Sequence, residues 1–247
     1  MKIGFFDSGM GGLFMMQSCI EEYRNHEYVY VGDTKNLPYG PRDSVEIFEL
    51  MSPYILWLFN EQKCDYVVLA CNTASAQSLD MLIQKYPEYK KRLINIVTLT
   101  QSYINSEIKD PQQLLVLATE RTVKSEVYQT SNTQQLAMPG LVDLIESGDR
   151  EASRTTIVDA LLHYSGVDYV LLGCTHYADL IKTLSDAYPE ITFIAQDSII
   201  NIWISKLKDE TKNLAPEYYV SGDPYDYEKV FDIPIQRIVL KKPRRNP

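Results

Sequence analysis

The sequence predicts an α/β protein of two similar lobes, each a mostly parallel sheet flanked by helices, with one active site in the cleft between them. Three observations lead there. Short apolar runs alternate with amphipathic stretches through most of the 247 residues. Near-continuous apolar strands separated by helices are the pattern of parallel sheets covered on both faces. A second observation is an internal echo: "CDYVVLACNTA" at 64–74 returns as "VDYVLLGCTHY" at 167–177. A third is that both copies end in a thiol, Cys71 and Cys174, where a buried strand gives way to polar residues and the next helix. In open α/β sheets, ligands sit beyond the carboxyl ends of the strands.

The strands follow in order. "KIGFFD" (2–7), "YVYVGD" (28–33), "DYVVLA" (65–70), "LINIVTL" (93–99), "QLLVLAT" (113–119), "QQLAMP" (134–139), "DYVLLG" (168–173), "ITFIAQ" (191–196) and "YYVSG" (218–222) are short and apolar. They are rich in β-branched or aromatic residues and stop at turn formers or polar residues. Helical periodicity fills 44–62, 74–86, 154–164 and 177–188. A break between lobes falls near 93–100, once the first lobe has completed several strand–helix units.

Bulk properties remove several classes. The net charge of −9 argues against nucleic acid or an anionic membrane as the main partner. The basic tail "KKPRRNP" (241–247) reads as a solvated end. The opening segment lacks the apolar core of a secretion leader, and no run approaches the roughly 18–20 apolar residues of a membrane helix. Four cysteines without a CxxC pair fit reduced cytoplasmic thiols, with Cys19 and Cys64 as packing residues. His26 and His163 have no Cys or Asp at metal-ligand spacing, so no metal is expected.

The two thiols carry the chemistry. A helix N-terminus offers unpaired N–H groups and a positive dipole end, which lowers a thiol pKa and attracts carboxylates. Asn72, Thr73, Ser75 and Thr175 add donors beside them. Buried cysteine is usually inert packing, but two thiols in matched settings point to one shared site. "FFDSGMGGLF" places Asp7 and Ser8 directly after the first strand. It is not a dinucleotide fingerprint, since Phe14 holds the third glycine position, and it lacks the Lys of a phosphate loop. "GDTKNLPYGP" follows the second strand as a loop stiffened by Pro38, Gly40 and Pro41.

With these residues assembled, the chain resembles the glutamate racemases of the cofactor-independent aspartate/glutamate racemase superfamily. The matching segments are "FDSGMGGL", "VGDTKNLPYGPR", "ACNTASA", "LATERTVKSEVY", "PGLVDLIESG" and "LGCTHYADL", in the family's order. The resemblance implies that Cys71 and Cys174 work from opposite faces of the substrate α-carbon. It implies that Asp7, His176 and Glu146 assist proton transfer. Ser8, Tyr39, Gly40, Asn72, Thr73, Thr119 and Thr175 match substrate-binding positions, together with Asp7 and His176. The implied lobes are 1–95 plus a returning 206–247, and 96–205. The resemblance further implies glutamate as substrate, D-glutamate for peptidoglycan, no cofactor, and a cytoplasmic homodimer.

The chemistry agrees with that implication. Racemisation needs a base on one face of the α-carbon and an acid on the other, and a thiolate and a thiol exchange those roles symmetrically. Sulfurs about 7–8 Å apart allow each to approach one α-carbon from opposite sides. Two departures stand out. Residues 98–102 (Thr, Leu, Thr, Gln, Ser) replace the family's Pro-Gly turn in a loop expected at the cleft entrance, and Ala178 replaces the proline after "THY". The competing readings are a racemase of aspartate or another amino acid, a non-catalytic binding relative, and a cysteine hydrolase. Binding alone does not require two opposed thiols, and a hydrolase needs only one nucleophile.

Overall fold

The first strand, β1 (Lys2–Asp7), is buried from Ile3 onward and pairs in parallel with neighbours on both sides. The coordinates, a computed structural model, describe residues 1–108, 113–130, 133–164, 166–208 and 214–240. The basic tail at 241–247 lies outside the described residues. After β1 come α1 (Gly11–Glu22), β2 (Glu27–Gly32), α2 (Ser44–Asn60), β3 (Tyr66–Leu69), α3 (Asn72–Lys85), β4 (Leu93–Asn95) and α4 (Ile96–Glu107). The chain continues through β5 (Leu114–Ala118), α5 (Glu120–Lys124), β6 (Gln134–Ala137), α6 (Leu141–Glu146), α7 (Arg150–Leu161) and β7 (Tyr169–Leu172). A 3-10 helix (Thr175–Leu180) then leads into α8 (Ile181–Ala187), β8 (Thr192–Ile194) and α9 (Gln196–Ile204). The last elements are β9 (Glu217–Val220), α10 (Tyr225–Phe231) and β10 (Gln236–Arg237).

The strands form two sheets. One has the order β10-β9-β2-β1-β3-β4 and the other β6-β5-β7-β8, and all their pairings are parallel. Within the first four strands of each lobe the order is the same, second-first-third-fourth. The sequence echo is therefore an echo of topology: β3 and β7 occupy equivalent places, and Cys71 and Cys174 each follow their strand by two residues. In such an order the connections run opposite ways beside the first strand, which opens a crevice at the carboxyl ends.

One apolar cluster joins the lobes. It runs from Phe5 and Val68 of the first sheet through Leu13, Met16, Ile104 and Ile200 on helices to Val116 and Leu171 of the second. Each fully buried side chain of this kind contributes roughly 1.5–3 kcal/mol, so the lobes share a core rather than hang on a linker. Two further clusters cover the outer faces. Ile47, Met51 and Leu58 of α2 pack on the first sheet, and Leu141, Ile157 and Leu184 pack on the second.

The structure departs from the sequence reading at 93–102. Only Leu93–Asn95 is strand; from Ile96 the chain is helical. The Asn95 side chain accepts from the Thr98 N–H at 3.0 Å and caps α4, and that cap overrides the strand preference of "IVTL". Residues 98–102 are thus helix and not an entrance loop, and Thr100 is fully buried. The short β10 carried no apolar run and went unread in the sequence.

Candidate active site

The carboxyl ends of four equivalent strands converge on a cavity of about 140 Å³. Ser8 follows β1, Cys71 follows β3, Thr119 follows β5 and Cys174 follows β7, and all four line it. Tyr39, Gly40, Asn72, Thr73, Thr175 and His176 are also among the walls, whereas Asp7, expected to bind substrate as well, is fully buried and does not line the cavity. Leu37, Pro139 and Val142 supply apolar surface. Among the described lining residues there is no Lys or Arg; hydroxyls, the Asn72 amide and the His176 ring face the cavity, and Glu120 and Asp143 add two carboxylates to its wall. Asp7 and Glu146 stand behind the wall.

Cys71 ends β3 and caps α3, accepting from the Ala74 N–H at 3.5 Å. Its Sγ also lies 3.4 Å from Ser8 Oγ. The expectation of an acidified thiol does not hold at this position. Burial and the nearby Asp7 charge push Cys71 up to about 12, outweighing the Ser8 hydroxyl and the Ala74 N–H. Cys174 differs. It precedes a 3-10 helix and makes no side-chain cap. Its sulfur instead lies 3.7 Å from His176 Nδ1.

The far nitrogen of His176, Nε2, is 2.6 Å from Glu146 Oε1. Burial alone would lower the His176 pKa, but Cys174 and Glu146 outweigh it and hold the ring well above its ordinary range. Burial likewise opposes ionisation of Glu146, yet His176, the Met10 N–H and the Tyr227 hydroxyl bring its carboxyl below the ordinary value. Each thiol thus has its own proton environment: a hydroxyl and a carboxyl at Cys71, an imidazolium–carboxylate pair at Cys174.

Two hydrogen bonds cross between the lobes in matched fashion. Thr175 Oγ1, next to Cys174, donates to Asp7 Oδ2 at 3.1 Å. Thr73, two residues past Cys71, meets Thr119 Oγ1 at 3.0 Å. Asp7 and Thr119 both lie at the exit of the first strand of their lobe. Burial raises the Asp7 pKa, opposed by the His176 charge and by hydrogen bonds from the Gly9 N–H and Thr175. The glycines of "SGMGG" are explained by close approach: a Cβ on Gly11 would sit 2.3 Å from Thr175 Oγ1 and 2.6 Å from the His176 backbone nitrogen.

Some site contacts were not foreseen. The Tyr39 hydroxyl does not serve the cavity; it donates to buried Asp33 Oδ2 at 2.7 Å, and Asp33 also accepts from Ser221 of the returning segment. Gln196 and Tyr128 bind Asn72 from the second lobe. A polar residue ending the apolar run "ITFIAQ" was the only sequence signal for Gln196.

Duplicated parallel sheets sharing one cavity at their carboxyl ends place the chain among two-lobed α/β enzymes. The profile of the Asp/Glu/Hydantoin racemase family matches residues 3–196. The glutamate racemase of Carboxydothermus hydrogenoformans is 31% identical over 239 residues, covering 90% of this chain and 87% of that protein. That of Campylobacter jejuni subsp. jejuni is 32% identical over 240 residues, covering 90% and 93%. The crystal structure of glutamate racemase from Campylobacter jejuni subsp. jejuni superposes with a TM-score of 0.81 at 27% identity, over 93% of this chain and 96% of that one. The chain belongs to the Asp/Glu/Hydantoin racemase family and is an amino-acid racemase, an isomerase. Among the described residues no helix is long and apolar enough to cross a membrane.

Proposed function

We propose that this racemase interconverts L- and D-glutamate by two-base proton transfer between Cys71 and Cys174. One observation carries the proposal: thiols from matched positions of two lobes wall the same small cavity, each with a separate proton partner. In the L-to-D direction the Cys174 thiolate removes the α-proton, so the Cα–H bond breaks and an S–H bond forms. The Cys71 thiol then delivers its proton to the opposite face. The products are D-glutamate, a Cys174 thiol and a Cys71 thiolate, and the reverse reaction restores the start. The elevated Cys71 pKa suits the delivering role. His176, held protonated, is the partner of Cys174, and Glu146 holds the ring in place. Asp7 plays the corresponding part near Cys71.

The carbanion-like state needs donors placed in advance in a water-poor site. Ser8, Thr73 and Thr119 hydroxyls and the Asn72 amide are assigned to the substrate carboxylates, with Tyr39, Gly40 and Thr175 closing the wall, the Thr175 hydroxyl being committed to Asp7. Glutamate as the substrate, and Cys174 as the base for the L-enantiomer, follow from the family resemblance and the glutamate racemases to which the chain is similar. The same resemblance supports a cytoplasmic homodimer that makes D-glutamate for peptidoglycan. It also supports lobes spanning 1–95 with 206–247, and 96–205.

Proton NMR in D₂O tests the reading. Both enantiomers of glutamate lose their α-proton signal far faster than other amino acids in a panel. Exchange with aspartate alone moves the substrate; no exchange with any amino acid removes the function.

A further inference from the structure

Asn72 follows Cys71 directly and lines the cavity, yet its side chain is held from the other lobe. Asn72 Nδ2 donates to Gln196 Oε1 at 2.5 Å, and Gln196 Nε2 donates back to Asn72 Oδ1 at 3.0 Å. The Tyr128 hydroxyl donates to the same Asn72 oxygen at 2.5 Å. Thr100 Oγ1 at 2.8 Å and the Tyr128 hydroxyl oxygen at 2.9 Å are also within reach of Gln196 Nε2, whose two N–H groups are shared among these oxygens and Asn72 Oδ1. Asn72, Thr100, Tyr128 and Gln196 are all buried.

A carboxamide has two N–H donors and one acceptor oxygen. Gln196 and Tyr128 use the Asn72 oxygen fully and one of its N–H groups. The second N–H is left for a ligand in the cavity. A free Asn side chain would rotate, and aligning it on binding would cost rotamer entropy. Here the paired amides fix the plane beforehand. All four groups are neutral, so they orient the Asn72 amide without placing a charge beside the thiol.

We infer that Gln196 is a positioning residue: it locks the Asn72 carboxamide so that its remaining N–H faces the substrate carboxylate. This rests on the proposed racemase site. Gln196 itself does not line the cavity and acts through Asn72.

The test compares the parent with Gln196→Leu, which keeps the side-chain size and removes the hydrogen bonds. For a racemase the equilibrium constant is one, so kcat/KM must fall equally in both directions. The informative quantity is its division between KM and kcat. Loss of a preset hydrogen bond to a charged ligand raises KM about tenfold with kcat within about threefold of the parent. In an Asn72→Ala background, Gln196→Leu adds less than about twofold, because both changes remove one device. A KM within about twofold of the parent, or the full effect persisting without Asn72, overturns the inference. Should Gln196→Leu not fold, Tyr128→Phe decides: KM rises by about threefold or more with kcat retained, and an unchanged KM overturns it. Should the parent itself not turn over glutamate, the proposed function fails separately. Hydrogen exchange of the Asn72 side-chain amide, read by NMR, then decides. It is slow in the parent and fast in Gln196→Leu, and equal rates reject the role.

Discussion

Glu146 Oε1 lies 2.6 Å from His176 Nε2, while Nδ1 of the same ring lies 3.7 Å from Cys174 Sγ. Glu146 also accepts from the Met10 N–H of the first lobe at 3.1 Å and from the Tyr227 hydroxyl at 3.2 Å. One carboxylate therefore ties both lobes to the proton partner of one thiol.

His176→Gln keeps the size of the side chain and removes its charge. A loss of about 10²-fold or more in kcat is expected, the usual contribution of a positioned acid–base group. Stability changes with a defined pH window. The raised His176 pKa gives a contribution fully present below the ordinary value of 6.5 and lost as pH rises through the raised one. The lowered Glu146 pKa gives a contribution present above 4.5 and lost as pH falls through the lowered value. The stability gap between parent and variant, about 3 kcal/mol for a broken buried pair, is therefore widest between those values. Denaturant unfolding from pH 4 to 9 checks this, and a gap independent of pH sinks it.

The thiols are tested apart. Cys71→Ser and Cys174→Ser are each expected to lose racemisation almost completely, because the proposed two-base turnover needs both. Each keeps one-sided chemistry: Cys174→Ser still eliminates chloride from a β-chloro D-amino acid, and Cys71→Ser from the L-form. Cys19→Ala and Cys64→Ala are expected to stay near the parent rate, since both are packed among apolar side chains and neither lines the cavity. If both serine variants kept more than about a tenth of the racemase activity, roughly 1.4 kcal/mol of barrier, the thiols would not be the bases.

The elevated Cys71 pKa predicts slow alkylation. In substrate-free enzyme, iodoacetamide modification of Cys71, followed by peptide mass spectrometry, stays low at pH 8 and climbs as pH approaches about 12. Rapid modification that levels off below pH 9 contradicts the assigned environment.

Gly11 and Gly40 separate close approach from open space. On Gly11 a new Cβ meets backbone of the second lobe, which has no flexible end to move aside. Gly11→Ala is expected to lose about 1–3 kcal/mol of stability and at least about tenfold in activity as the lobes shift. On Gly40 the nearest atom to a new Cβ is Thr119 Cβ at 4.0 Å, so Gly40→Ala unfolds at nearly the parent midpoint. Equal stability of the two variants counts against the packing argument.

Much of this was legible in the chain because its signals are local. Period and composition mark β1, β3, β5 and β7, since a strand buried on both faces must be apolar throughout. The echo at Cys71 and Cys174 identifies equivalent strand exits, and strand exits are where such sheets bind ligands. The 93–102 segment was misread because β-branched residues favour strands until a cap intervenes, and only the Asn95 side chain on the Thr98 N–H shows that it does. The acidity of Cys71 was misjudged for a related reason. A helix N-terminus is visible in sequence, whereas burial beside Asp7 depends on everything packed around it. Gln196 lies 124 positions from Asn72, and Asp7 lies 168 from Thr175. No local pattern links such partners. They meet because the shared core fixes the two lobes face to face, and that placement belongs to the tertiary structure alone.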